Sequence, residues 1–112
     1  MTTESVPSEI SEWIKTRQDL IAKALRRSRY DQTQEDPKRW CLDLLKEMST
    51  IETMARQTVH LLTLYAARSG VARPTEVAAA SDVTVSSAMS RAGSKLAQQV
   101  WREIYPEGQT KP

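Results

Sequence analysis

The chain has 112 residues and a mass of 12.7 kDa, the size of a single domain with a small core. Hydrophobic residues make up 39%, with no Phe, 3 Trp and 3 Tyr, so the interior has to be built from Leu, Ile, Val, Met and Ala, a helical composition. The net charge of +2 is too small to argue for nucleic acid by itself, and a single Cys excludes an intrachain disulfide.

The start MTTESVPSEI lacks the basic and apolar regions of a secretory signal, and no window approaches the ~18 apolar residues of a membrane span. A cytoplasmic protein is therefore expected. Residues 1–7 read as a loose polar tail. Ser8 or Ser11 can cap a first helix over 8–29, with Ile10, Trp13, Ile14, Leu20, Ile21, Ala24 and Leu25 as its apolar stripe. The other face is basic: Lys15, Arg17, Lys23, Arg26, Arg27 and Arg29 stand against Glu12 and Asp19. Such a face suits a phosphate backbone, and it equally suits plain solvation.

Tyr30 to Glu35 is a polar break. Asp36-Pro37 then opens a helix over 36–69, Asp as N-cap and Pro at the first helical position, with Gly70 as its C-terminal stop. Ser49 and Glu52 form a possible capping box, so a kink there is the alternative to one long helix. Its apolar residues, among them Trp40, Leu44, Leu45, Met48, Ile51, Met54 and Leu62, spread over more than one face. Leftover apolar surface of this kind points to a homodimer, unless the first and last helices cover it.

Residues 74–104 read as two helices joined by a tight turn. Thr75 can cap the first, with Pro74 before it and Glu76 in its first turn. Val77 and the Ala78-Ala79-Ala80 run give a side without bulk, against which a second helix can cross closely. Asp82 stands where the chain swings toward the left-handed region, Val83 plugs the angle, and Thr84 caps the second helix. That helix is expected to continue to Ile104 on Val85, Met89, Ala92, Leu96, Val100 and Ile104. Its other side carries Ser86, Ser87, Ser90, Arg91, Ser94 and Lys95, without an acid until Glu103. The tail 105–112 is expected to fray.

At the run EVAAASDVTVSSAMSR the chain resembles the helix-turn-helix proteins of bacterial transcription regulators. The shared features are the apolar-Ala pair Val77-Ala78, the tight turn, and Val83-Thr84 opening the recognition helix. Asp82 departs from the usual turn glycine, and Arg91 stands where many members carry an apolar residue. The resemblance implies binding of double-stranded DNA by a small transcriptional repressor or a plasmid or phage control protein. Ser86, Ser87, Ser90 and Arg91 are the candidate groove residues, with Arg91 able to hold guanine O6 and N7 together. Arg73, Thr75, Thr84 and Lys95 are the candidates for phosphate.

His60 and Cys41 lie 19 positions apart and assemble no metal site at any standard spacing. His60 reads as a structural or surface residue and Cys41 as core or interface packing. With no phosphate loop, nucleophile elbow or zinc signature, neither an enzyme nor a cofactor is expected. The expected fold is all-α, four or five helices in one domain with a C-terminal wingless helix-turn-helix. The competing reading is a helical protein-interaction module: an antitoxin, anti-activator or adaptor.

Overall fold

A computed structural model describes residues 5–27 and 36–106, all of whose regular structure is helical. Five helices follow one another: α1 (Ser8–Arg27), α2 (Pro37–Ser69), α3 (Pro74–Ser81), α4 (Val85–Ala92) and α5 (Lys95–Ile104). The expected tails over residues 1–4 and 107–112, and the polar break at 30–35 with Arg29 before it, lie outside the described residues.

Helix α2 is the axis on which the others pack. It begins where Asp36 accepts from the Arg39 amide at 3.2 Å with Pro37 in the first turn, and ends at Gly70 in the left-handed conformation (φ 72°). Between these caps it runs unbroken through Ser49 for 33 residues, ~50 Å at ~1.5 Å per residue. Its threonines fit a helix interior by bonding back one turn: Thr50 to the Lys46 carbonyl, Thr53 to Ser49, Thr58 to Met54 and Thr63 to Val59. The Ser49 carbonyl is thus occupied in a continuous ladder, and no capping box forms there.

Helix α1 returns antiparallel along α2. Its start contributes Ile10 to a core of Leu61, Leu64, Tyr65, Ala97, Val100, Trp101 and Tyr105, and its end is tied by Arg27 to Glu47 at 3.5 Å. Neither Ser8 nor Ser11 caps α1. The Pro7 carbonyl accepts from the Ser11 amide at 3.0 Å, and the Ser8 hydroxyl turns to Glu9 instead.

Helix α5 closes the core. Arg68 of α2 lies over the Trp101 ring at 4.8 Å, and Trp101 meets Tyr105 with ring centroids 5.1 Å apart. On the α1 side, the Glu103 carboxylate accepts from the Trp13 indole at 3.4 Å and lies 3.7 Å from Arg17, whose guanidinium stacks on Trp13 at 4.4 Å. Two cations of the α1 basic face, Arg17 and Arg27, are therefore engaged within the molecule.

Candidate nucleic-acid interface

Helices α3 and α4 form a compact unit packed against each other and against α2. Helix α3 starts two residues earlier than its threonine suggests. Arg73 is the N-cap, Pro74 takes the first helical position with its φ already fixed, and Glu76 reaches back to accept from the Arg73 amide at 2.9 Å. Thr75 is consequently an exposed residue inside the first turn and caps nothing.

The turn is built on Asp82 at φ 56°, ψ 46°. This left-handed residue lets the Val83 amide reach the Ala78 carbonyl at 3.0 Å and brings the Asp82 amide to Ala79 at 3.3 Å, satisfying carbonyls left over at the end of α3. Ala78 is buried at the crossing, Val83 is half-buried beside it, and Ala79 and Ala80 are exposed. Thr84 then caps α4 by accepting from the Ser87 amide at 3.1 Å, while its own hydroxyl donates to the Ser87 hydroxyl at 3.0 Å.

The second helix does not continue to Ile104. Helix α4 stops at Ala92, and Ser94 starts α5 by accepting from the Ala97 amide at 3.1 Å, its hydroxyl donating to the Arg91 carbonyl at 2.8 Å. Gly93 gives little helical preference, and Ser94 offers the backbone a competing set of bonds on both sides. The single apolar row expected from Val85 to Ile104 is thereby split. Ala88 and Ala92 are buried on α4 while Val85 stays 40% exposed, and α5 buries a new set, Ala97, Val100 and Trp101.

Of the residues singled out in the sequence, Ser86, Ser87 and Ser90 share the exposed side of α4, away from Ala88 and Ala92. Thr84 lies at its start and Lys95, also exposed, on the first position of α5 beyond the break. Arg73 and Thr75 are exposed at the start of α3. Arg91 differs from these. It is half-buried at the edge of the serine face and lines an open groove of about 960 Å³ between α2 and the α3–α4 unit. It makes no ion pair with Glu76, which holds Arg73 instead, Nε to Oε1 at 3.4 Å.

The same groove contains Arg56 and His60, two α2 residues not singled out above as companions of α4. Their spacing of one helical turn was the available signal. The His60 Nδ1 lies 2.9 Å from the Arg56 carbonyl, one turn back along α2. Glu52, one turn before Arg56, pairs with it at 3.8 Å. Cys41 is exposed near the far end of α2 rather than packed in the core.

Among the described residues no group of three or more His, Cys, Asp and Glu is placed to hold a metal ion, and no helix is long and apolar enough to cross a membrane. No known protein family, curated protein or solved structure matches the chain.

Proposed function

We propose that the protein binds double-stranded DNA sequence-specifically, as a homodimer, using α3 and α4 as a wingless helix-turn-helix. The observation that carries this reading is the exposed side of α4. It presents three short hydroxyl side chains, and no acid occurs from Val83 to Arg102. A helix entering a major groove needs a face without bulk or negative charge, because either would hold it away from the phosphates.

In this reading Ser86, Ser87 and Ser90 approach base edges, and Arg91 reaches from the edge of that face to a guanine. Arg73, Thr75 and Lys95 contact the backbone, and Thr84 presents the amides of the first α4 turn to a phosphate while its hydroxyl remains in the cap. A small transcriptional repressor or a plasmid or phage control protein is the corresponding biological role.

Binding to a random duplex at two salt concentrations tests the reading against a protein-interaction module. Arg73 and Lys95 in two copies would neutralise about four phosphates, so affinity should fall by ~10² between ~50 and ~200 mM salt. Binding that is absent at low salt, or indifferent to salt, contradicts it.

A further inference from the structure

One side of α2 is left largely open among the described residues. Leu45, Met48, Val59 and Leu62 are 59, 40, 38 and 45% exposed, a large apolar load for one helix face. Helices α1 and α5 cover the other side, where Leu61, Leu64 and Tyr65 are buried. Among the exposed positions, Cys41, Leu45, Met48, Glu52, Ala55, Val59 and Leu62 are spaced by alternating steps of four and three, which is a heptad seam. From Cys41 to Leu62 the seam is ~32 Å long at ~1.5 Å per residue.

We infer that this seam pairs with the same seam of a second copy, antiparallel, with Leu45 against Leu62 of the other chain, Met48 against Val59, and Glu52 against Ala55. Charge selects both the occupant and the direction. The single carboxylate in the seam, Glu52, is accompanied by a single exposed cation one turn later, Arg56, 3.8 Å away within one chain. In the antiparallel register each Glu52 comes beside the Arg56 of the other copy, so the patch is its own complement, as a two-fold interface requires. Ala55 leaves room for the carboxylate to turn toward that cation. A parallel pairing would instead set Glu52 against Glu52 in the seam and stack like charges.

The open groove between α2 and α3 fits the same arrangement. Val59 and Leu62 form part of its floor, with Val77 and Ala80 on the far wall, and the antiparallel partner brings Leu45 to that end of α2. The interface stands independently of the DNA-binding reading.

The interface is tested without DNA, by light scattering and by cysteine cross-linking. The full chain should have twice the mass of 12.7 kDa at micromolar concentration, and Leu45→Glu/Val59→Glu should be monomeric with unchanged helical circular dichroism. In a Cys41→Ser background, Leu45→Cys and Leu62→Cys proteins should cross-link to each other on mixing and oxidation, and neither to itself. A monomeric parent overturns the proposal, as does self-cross-linking of Leu45→Cys, which is the parallel outcome. A dimer with the expected cross-links that fails to bind DNA leaves the interface standing and refutes the DNA-binding reading alone.

Discussion

Glu76 holds Arg73 twice: its Oε1 accepts from the Arg73 amide at 2.9 Å and lies 3.4 Å from the Arg73 Nε. The first contact caps α3, and the second draws an exposed guanidinium away from any external anion. Glu76→Gln keeps an oxygen for the amide and removes the charge. It should therefore leave stability nearly unchanged while raising affinity for a random duplex a few-fold and steepening the salt slope by up to about two, one per copy. Glu76→Ala also loses the cap, at a cost of ~1 kcal/mol in urea unfolding. Equal DNA affinity for parent and Glu76→Gln would show that Arg73 does not contact phosphate.

Asp82 bears the one positive φ among the non-glycine described residues. Asp tolerates that conformation and glycine adopts it without strain, whereas a β-branched side chain resists it at ~1–2 kcal/mol or more. Asp82→Gly should change unfolding free energy by less than ~1 kcal/mol, and Asp82→Val should lower it by at least ~1–2 kcal/mol. If Asp82→Val unfolds at the same denaturant concentration as the parent, the turn geometry is wrong.

The elements legible in the sequence are those whose signals are local. Asp36-Pro37, Gly70, Asp82 and Thr84 each mark a boundary through their own backbone or side-chain chemistry, and the boundaries of α2, the turn and the start of α4 follow from them. Gly93-Ser94 carried a signal of the same kind, a poor helix former followed by an N-cap residue. It was masked by the apolar spacing that continues from Met89 through Ala92 to Leu96. What local signals cannot supply is the direction in which a face points. Leu45 and Leu61 are equally apolar in the sequence, yet one is exposed and the other buried, because α1 and α5 settle on one side of α2 only. The half-buried position of Arg91 likewise follows from how α4 leans on α2.

Tyr105 closes the core with a hydroxyl that is buried and has no hydrogen-bond partner among the described residues. Burial raises its pKa above 10.0, and the charge of Glu9 and then that of Tyr65 act in the same direction. Because the folded-state value is the higher one, the tyrosine's contribution is fully present below pH 10 and is lost as pH rises through the folded value. Tyr105→Phe should be neutral or slightly stabilising at pH 7 and should weaken the alkaline loss of stability. Trp101→Ala, by contrast, should cost ~3–5 kcal/mol at any of these pH values. Urea melts at pH 7 and above pH 10 measure both, and a Tyr105→Phe protein as alkali-sensitive as the parent refutes the assignment.

Arg91 and Lys95 should differ in kind as DNA contacts. Arg91→Ala should relax discrimination at particular base pairs by ~1–3 kcal/mol, while Lys95→Ala should weaken all duplexes alike and lower the salt slope by about two, one per copy. Arg17 is unsuitable as a control, since it is stacked on Trp13 and paired with Glu103. Lys15, exposed on α1, serves instead. Competition among single-base variants of a selected duplex gives both readouts, and identical profiles for Arg91→Ala and Lys95→Ala contradict the division of roles.

The most direct measurement is the affinity of Ser90→Glu for a duplex selected from a random pool. Ser90 is exposed in the middle of the α4 face and makes no contact on which folding depends, so the substitution should leave helicity and the urea midpoint unchanged. A carboxylate there would meet the DNA phosphates, and affinity should drop at least ~100-fold, ~2.7 kcal/mol, while Lys15→Ala stays within a few-fold of the parent. If Ser90→Glu binds that duplex as tightly as the parent does, α4 is not the helix that lies in the groove.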